Sequence, residues 1–162
     1  MQIALAILLL AVLVFGFVVF FGPPYLPTMR RSINTALDML ELKPGQTLLE
    51  LGSGDGRVLL AAARRGYKAV GIELSPLLAI ISWLITLRYR RQVRVIWGNY
   101  FRVHWPPADA IFTFMLQRQM ARLDSTITAW QAGPIRLASF AFRIPGKRPL
   151  RVQDGVHLYE YK

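Results

Sequence analysis

The sequence predicts an α/β domain in which helices pack on both faces of a mostly parallel, doubly wound sheet. Two observations carry this prediction. First, an apolar run at Thr47–Leu51 leads into a glycine-rich turn, and a helix-like segment, Val58–Arg65, follows the turn at once. Second, another apolar run, Ala69–Leu74, comes soon after that helix. A buried strand, a tight turn, a helix and a second strand form the repeating unit of a parallel sheet.

The turn after the first strand carries a glycine at every second position. Its sequence is Gly52-Ser53-Gly54-Asp55-Gly56. Glycines let a ligand come close to the backbone, and the N–H groups at the start of the next helix suit a polar or anionic group. Arg57 stands where a dinucleotide-binding fingerprint would continue toward a later glycine. The turn therefore favours a nucleoside ligand without a pyrophosphate over NAD, although a nucleotide-dependent oxidoreductase stays an alternative.

An acidic residue lies near the end of each of the two strands. Glu50 precedes the glycine turn. Glu73 comes 23 positions after Glu50, within Gly71-Ile72-Glu73-Leu74. A carboxylate at the tip of the second strand can accept hydrogen bonds from both hydroxyls of a ribose. The two acids around a glycine turn therefore indicate a nucleoside-binding site.

The stretches ELGSGDGR and GIELSP together resemble the class I S-adenosylmethionine-dependent methyltransferases. More narrowly, from about Pro24 onward the chain resembles a small membrane-anchored group related to the FAM173-type protein-lysine methyltransferases. The resemblance implies a Rossmann-like sheet with a C-terminal β-hairpin and S-adenosylmethionine as the cofactor. It also implies cofactor contacts from Glu50, Gly52, Ser53, Gly54, Asp55, Gly56, Glu73 and Leu74.

Two more segments match the family at the cofactor site. Gly98-Asn99-Tyr100-Phe101 follows the third predicted strand, where the family has a Gly-Asp or Gly-Asn step that meets the adenine. The Asn99 amide can donate to and accept from the edge of that base, and Tyr100 can cover its ring. Tyr25-Leu26-Pro27-Thr28 matches a strap that precedes the first helix and closes over the cofactor. An ordinary loop and a stiff linker are the respective alternatives.

The composition limits the classes of function. Of the 162 residues none is cysteine and two are histidine, so the sequence offers no thiol nucleophile and no spacing for a metal site. The net charge of +11 favours an anionic partner, either nucleic acid or membrane. The basic residues are scattered and no RNA-binding aromatic motif occurs, so we expect membrane proximity and no nucleic acid.

The segment Ile3–Phe21 carries no charge and predicts a transmembrane helix. At about 1.5 Å per residue it would span roughly 28 Å, close to the hydrocarbon thickness of a bilayer. We expect an uncleaved, single-pass anchor rather than a signal peptide, because it lacks a basic leading region and a small-residue cleavage site. Arg30 and Arg31 come after it, so the catalytic domain is expected on the cytoplasmic side. The predicted domains are the anchor (residues 1–22), a proline-rich joint (23–31) and the methyltransferase domain (32–162).

The remaining elements follow from periodicity and turn signals. Thr28 or Ser32 is expected to cap a helix that runs through Leu40. A helix from Pro76 to Arg91 is apolar nearly all round as far as Leu87, so Leu77–Leu87 is expected to pack on the sheet or to contact lipid or another subunit. The other predicted elements are strands Val93–Trp97, Ala108–Phe114 and Ile135–Phe142, the helix Gln117–Gln131, and a hairpin of Leu150–Val152 with Val156–Tyr161.

No catalytic residue can be assigned from the sequence. Methyl transfer to a neutral nucleophile depends mainly on alignment and on removal of water, so a missing acid–base pair does not argue against it. The fourth predicted strand ends in Thr113-Phe114-Met115-Leu116, without an Asn- or Asp-Pro-Pro-Tyr pattern. The sequence and the resemblance together suggest a membrane-anchored methyltransferase that N-methylates a lysine of a membrane or membrane-associated protein. A lipid or lipid-soluble acceptor and a non-catalytic membrane module are the alternatives.

Overall fold

The computed structural model describes Leu5 and residues 28–130 and 133–162. Its helices are α1 (Arg30–Leu40), α2 (Arg57–Arg64), α3 (Pro76–Thr86, followed by a 3-10 turn, Leu87–Tyr89) and α4 (Gln117–Trp130). Its strands are β1 (Thr47–Leu51), β2 (Lys68–Glu73), β3 (Val93–Trp97), β4 (Ala110–Thr113), β5 (Ile135–Phe140), β6 (Arg151–Gln153) and β7 (Val156–Tyr161). The connection from β3 to β4 is a loop without a helix.

The strands of the described residues form one seven-stranded sheet in the order β3-β2-β1-β4-β5-β7-β6. β1 to β5 are parallel, and β7 runs antiparallel between β5 and β6. The chain order reverses at β1, and ligands of open parallel sheets bind at such a point, beside the carboxyl ends of the strands. Leu51 pairs in register with both Ile72 and Thr113, so the residues that follow these three leave the sheet close together.

Apolar side chains cover both faces of the sheet. Leu48 and Phe112 belong to a buried cluster that also contains the apolar residues of α1 and α2. Leu49 and Ile111, their neighbours along the same strands, belong to a second cluster with the apolar residues of α4. Successive residues of a strand point to opposite faces, so most residues of β1 and β4 must be apolar. The predicted doubly wound α/β sheet is confirmed.

The C-terminal hairpin completes the sheet. Asp154 and Gly155 both have positive φ (50° and 77°), the combination that a tight two-residue hairpin turn requires. β7 is buried between its two neighbours, and Tyr159 within it is 1% exposed. The Tyr161 hydroxyl donates to the Asp124 carboxylate of α4 at 2.6 Å, so the hairpin is also attached to the helix layer. The predicted hairpin is confirmed.

The start of α1 differs from the prediction. The N-cap residue is Met29, without a side-chain hydrogen bond, so neither Thr28 nor Ser32 caps the helix. Ser32 lies inside the first turn, and its hydroxyl donates instead to the Asp154 carbonyl of the hairpin at 3.0 Å. Ser32 thus bonds to a residue that is distant in sequence, in place of the local capping bond that the sequence predicts.

Two elements end at least two residues earlier than predicted. The helix that begins at Pro76 ends at Thr86 rather than Arg91, and a 3-10 turn follows. The Thr86 hydroxyl donates back to the Ser82 carbonyl at 2.7 Å, a bond that weakens the regular helix. β5 ends at Phe140 because Ala141 has a φ of 66°, which is incompatible with a strand.

The predicted anchor, Ile3–Phe21, lies outside the described residues except for Leu5, and so does most of the joint at residues 23–31. Within residues 28–130 and 133–162, no helix combines the length and the apolar character needed to cross a bilayer. The anchor and the division of the chain at residues 22 and 31 stay predictions.

Candidate active site

The glycine turn joins β1 to α2 at the carboxyl edge of the sheet. Gly52, Gly54 and Gly56 all have positive φ (81°, 54° and 82°), which residues with a side chain rarely adopt. The N–H groups of the first two turn residues donate to the Ile72 carbonyl at 2.9 and 3.2 Å, so the turn folds across the end of β2. A Cβ atom on Gly52 would meet no other atom within 4 Å, whereas one on Gly56 would lie 2.4 Å from Ser82 Oγ in α3. The turn is open at its first glycine and closely packed at its third.

Glu73 holds the glycine turn and the following loop together. One carboxylate oxygen accepts the Gly54 N–H and the other accepts the Ser75 N–H, both at 2.8 Å. The Glu73 carbonyl accepts the Gly98 N–H at 2.8 Å, so the same residue also binds the end of β3. The Glu73 residue is 8% exposed. Each carboxylate oxygen keeps a second lone pair, so Glu73 retains acceptor capacity for the hydroxyls of a ribose.

Four N–H groups of the turn have partners within the protein, since Gly52, Ser53, Gly54 and Gly56 all donate to protein atoms. The sequence prediction concerns the N–H groups at the start of the next helix, and there the Arg57 N–H donates to Asp55 Oδ1 at 3.2 Å. A pyrophosphate site needs several free N–H groups that converge on the ligand. The engagement of these four turn groups therefore argues against a dinucleotide at this turn.

Glu50 lies in β1, two residues before the turn, and is 3% exposed. Burial raises its pKa well above the ordinary value, and the charges of Glu73 and Asp55 raise that pKa further. Two atoms, Glu50 Oε2 and Ser53 Oγ, are buried without a hydrogen-bond partner among the described residues. Unpaired buried polar atoms are rare in native proteins and call for an explanation such as a water or a ligand. The pair fits a polar ligand that lies against the turn.

Asp55 and Arg57 connect the turn to the joint. The Arg57 guanidinium binds the Asp55 carboxylate through Nε at 3.0 Å and through a terminal nitrogen at 2.7 Å. The same guanidinium donates to the Thr28 carbonyl at 3.4 Å, and Thr28 is buried. The chain therefore enters the domain beside the glycine turn, where the sequence predicts a strap. Tyr25, the other predicted residue of the strap, lies outside the described residues.

Two further residues predicted to contact the cofactor, Leu74 and Asn99, lie just after β2 and β3. Trp97 pairs with Glu73 in register, and its ring N–H donates to the Leu74 carbonyl at 3.1 Å. Asn99 follows two residues later, and its side-chain oxygen accepts the Phe101 N–H at 2.9 Å. The hydrogen-bond donors of the Asn99 side chain are on its amide nitrogen, which does not take part in this bond. The structure thus brings Leu74 and Asn99 to the edge at which Glu73 lies.

Tyr100 is half-buried at the same edge. Its hydroxyl donates to the Gln119 side chain of α4 at 3.1 Å, and its ring meets Phe101 edge-on with 4.7 Å between the centroids. Burial raises the pKa of Tyr100 to about 12, and the negative charge of Glu73 adds to this rise. Tyr100 is therefore a neutral aromatic residue near Glu73, as a cover for an adenine ring needs to be.

Three phenylalanines lie where β4 and β5 end. Thr113 of β4 pairs with Leu51 of β1, so Phe114 leaves the sheet beside the glycine turn. The Phe114 ring packs edge-on against Phe140 (4.8 Å between centroids) and stacks on Phe142 (6.1 Å). All three are half-buried. This phenylalanine cluster is absent from the predicted site residues, because its members are distant in sequence and form no motif.

A metal has no evident place in the described part of the chain, where no group of three or more His, Cys, Asp or Glu side chains could hold one. His157 accepts a hydrogen bond from Arg143 Nε at 3.1 Å through its Nε2. Burial lowers the pKa of His157, and the charge of Arg143 lowers it further. His157 is therefore a neutral packing residue of the sheet.

Comparison with known proteins identifies the family of this chain. The sequence profile described as ANTKMT methyltransferase domain matches residues 50–151, more than half of the chain. The chain belongs to this methyltransferase family. The matched stretch begins at Glu50 and contains the glycine turn and Glu73. The resemblance to class I methyltransferases of the FAM173 type is thereby confirmed, and with it S-adenosylmethionine as the cofactor of the family.

Relatives of this methyltransferase include lysine methyltransferases. The chain is 42% identical over 134 residues to a rat lysine N-methyltransferase that is named for an ATP synthase subunit, covering 78% of this chain and 59% of that protein. It is 26% identical over 148 residues to a protein-lysine N-methyltransferase of Saccharolobus islandicus, covering 84% of this chain and 92% of that protein. The human and Xenopus laevis counterparts of the rat protein are covered to 54% and 56%. The methyltransferase thus spans little more than half the length of these animal relatives.

A solved structure agrees with the fold. An RNA methyltransferase from Salinibacter ruber, in complex with S-adenosyl-L-homocysteine, superposes with a TM-score of 0.77. The two proteins are 23% identical, and the match covers 84% of this chain and 92% of the other. The Rossmann-like methyltransferase fold is therefore established for the described residues.

Proposed function

We propose that this methyltransferase transfers a methyl group from S-adenosylmethionine to a lysine side chain of a membrane or membrane-associated protein. The observation that carries the proposal is the family match from Glu50 onward, which falls on a turn and two acids that are all in place. The S. islandicus relative, matched over nearly its whole length, is named a protein-lysine N-methyltransferase. The animal relatives are named for a subunit of ATP synthase.

The residues at the edge of the sheet fit S-adenosylmethionine. Glu73 would accept the ribose hydroxyls, and Asn99 and Tyr100 would contact the adenine. The carboxyl groups of Asp55 and Glu73 suit a cofactor that carries a positive sulfonium and a positive ammonium group. The open space over Gly52 allows the cofactor to approach the backbone. When bound, the cofactor supplies a methyl group on a positively charged sulfur.

The joint completes this side of the site in our proposal. Tyr25 and Thr28 would form a strap across the cofactor, as the resemblance implies. The contact of Arg57 with the Thr28 carbonyl supports it, because this contact fixes the point at which the joint reaches the glycine turn.

The phenylalanine cluster provides an acceptor side for lysine. A lysine must lose its proton to water before it can act as a nucleophile, and an apolar wall lowers the pKa of an ammonium group that lies against it. Phe114, Phe140 and Phe142 form such a wall next to the turn. Aromatic rings also attract the charged methylated product. In this proposal the cluster removes water from the acceptor lysine and orients it, and these are the main requirements of methyl transfer.

We further propose that residues 3–21 anchor the protein in a membrane as a single span, with the methyltransferase domain on the cytoplasmic side. The uncharged length of this segment and the Arg30-Arg31 pair after it support this orientation. Anchoring raises the effective concentration of acceptors in the same membrane.

The test uses membranes from a strain that lacks the protein. These are incubated with the full-length enzyme and methyl-labelled S-adenosylmethionine, and protein is then separated from lipid. We expect label in methylated lysine after hydrolysis of the protein fraction, and none with a Glu73→Ala variant. Label found only in the lipid extract would contradict the lysine proposal and support a lipid acceptor.

Calorimetry distinguishes a methyltransferase from an oxidoreductase and from a non-catalytic module. The full-length protein is titrated with S-adenosylmethionine, S-adenosylhomocysteine and NAD. We expect binding of the first two and none of NAD. Binding of NAD alone would instead indicate an oxidoreductase, and cofactor binding without label in any membrane fraction would support a non-catalytic module.

A further inference from the structure

Helix α3 turns its apolar side to the solvent. The residues that it buries are small or polar, namely Ala79, Ser82 and Thr86. Its large apolar side chains are exposed: Leu77, Ile80, Trp83 and Leu84 by more than half, and Ile85 and Leu87 by 43% and 40%. The prediction that Leu77–Leu87 presents apolar surface beyond what the sheet covers is confirmed for this helix. We call these six exposed side chains the α3 face.

The α3 face is bordered by positive charge and by a second tryptophan. Arg88, Arg90 and Arg91 come directly after it and are exposed. None of the three makes a salt bridge with any residue in the described part of the chain. Trp97 is 68% exposed, and its ring N–H is bonded to the Leu74 carbonyl just before α3 begins. The surface therefore combines aliphatic, tryptophan and arginine side chains.

We propose that the α3 face binds the surface of an anionic lipid bilayer. Aliphatic side chains with tryptophan enter the interface between head groups and acyl chains, and arginines at the border pair with anionic head groups. A second copy of the chain fits less well. Each copy carries a net charge of +11, so two copies repel each other, whereas an anionic bilayer attracts each of them.

The α3 face is connected to the cofactor site through two contacts of its helix. Ser75, the N-cap of α3, donates its N–H to the Glu73 carboxylate, and Ser82 packs against Gly56 of the glycine turn. A bilayer bound to the outer side of α3 therefore lies one helix away from the cofactor edge. The proposal stands independently of methyl transfer, since it rests on the surface alone.

The test uses the absence of cysteine from the chain. Ile80→Cys gives a single labelling site on the α3 face, and Thr128→Cys gives a matched exposed site on α4, across the sheet. Each full-length variant receives an environment-sensitive fluorophore and is reconstituted into vesicles of phosphatidylcholine, either alone or mixed with phosphatidylglycerol. Quenching by a lipid that carries a nitroxide on its acyl chain then measures burial of the label, whether or not another segment holds the protein on the vesicle.

We expect strong quenching at residue 80 in the anionic vesicles, less in phosphatidylcholine alone, and little at residue 128 in either. Each arginine near an anionic leaflet strengthens binding by about fivefold, so Arg90→Gln with Arg91→Gln should weaken docking by about 25-fold. Equal quenching at residues 80 and 128 in anionic vesicles would overturn the proposal. Burial of residue 80 that follows protein concentration rather than lipid charge would also overturn it, and would identify a second copy as the occupant.

Discussion

At the scale of single residues, Glu73 has two tasks in one carboxylate. It holds the Gly54 and Ser75 N–H groups, and in our proposal it also accepts the cofactor ribose. Glutamine at this position keeps the shape but turns an NH2 group toward one of the two backbone donors. A buried donor that loses its charged acceptor is costly, so both the turn and the ligand site depend on the charge.

We predict that Glu73→Gln weakens S-adenosylmethionine binding by about 1.5–3 kcal/mol, because a charge-assisted hydrogen bond is lost. Calorimetry measures the affinity, and thermal unfolding without cofactor measures the effect on the turn. Glu160→Gln, at an exposed position of β7, is the control and should bind as the parent does. Unchanged affinity in Glu73→Gln would remove Glu73 from the ribose site.

Glu50 gives a prediction about pH. Its pKa is raised above the ordinary value of 4.5, so between 4.5 and the folded-state pKa the folded protein keeps a proton that the unfolded chain has lost. Stability must therefore fall as pH rises through this window, by at most about 1.4 kcal/mol per pH unit. Glu50→Gln is neutral at every pH and lacks this loss.

We predict that the melting temperature of Glu50→Gln, relative to that of the parent, increases from pH 4.5 toward neutrality. Calorimetric unfolding of the protein without cofactor measures this difference at each pH. A difference that stays constant with pH would show that Glu50 is ionised in the folded protein.

At the scale of elements, alanine substitutions at three glycines distinguish the effects of backbone strain, ligand access and side-chain packing. Gly45, Gly52 and Gly56 have similar φ (88°, 81° and 82°), so alanine should cost each about 1–2 kcal/mol of strain. Gly45→Ala meets no neighbour and lies away from the site, so it measures strain alone. Gly52→Ala should unfold like Gly45→Ala but lose cofactor affinity. Gly56→Ala should be less stable than both, because its Cβ collides with Ser82.

Denaturant unfolding and cofactor calorimetry on the three variants check this order. Equal cofactor affinity in Gly45→Ala and Gly52→Ala would show that the cofactor does not approach the first glycine of the turn.

The phenylalanine cluster is also a property of elements, since the ends of β4 and β5 create it. We predict that Phe114→Leu lowers kcat/KM for the protein acceptor by roughly twofold to tenfold, the value of its aromatic contacts. The cofactor dissociation constant should stay unchanged, because the cluster lies on the acceptor side. Steady-state kinetics with varied acceptor measures the first quantity, and calorimetry measures the second. A change confined to cofactor affinity would contradict this assignment.

Periodicity and turn chemistry were sufficient to predict most elements, but not the contacts between distant ones. The glycine turn and the two acids form a local pattern, so β1, α2 and β2 could be placed from sequence. The only sequence pattern that indicated the ion pair between Arg57 and Asp55 was the short spacing Asp55-x-Arg57. The contact of Arg57 with the Thr28 carbonyl depends on how α1 packs, which the sequence did not predict. The sequence also did not predict which side of α3 packs on the sheet. An all-apolar helix shows no preferred face, and here the close approach of Gly56 selects small inward residues.

At the scale of the whole molecule, the anchor that we propose would determine where the enzyme works. We predict that the full-length protein stays in the membrane pellet after carbonate extraction, because residues 3–21 are long enough to span the bilayer. Protease added outside sealed cells should leave the domain intact, since the positive charges of Arg30 and Arg31 after the segment favour an inside orientation in our proposal. A variant that carries Leu9→Arg and Leu13→Arg is the control and should be extracted. Release of the parent protein, or digestion of its domain from outside, would refute this topology.

The position of β7 has a consequence for synthesis. This strand lies between β5 and β6, so the edge of β5 stays unpaired until residues 156–161 have left the ribosome. Tyr159, one of the largest fully buried side chains, lies in this strand. Contacts between distant parts of a chain form slowly, and an open strand edge invites wrong pairing. The nascent domain must therefore complete its core only after the ribosome has delivered β7, long after residues 3–21 have emerged.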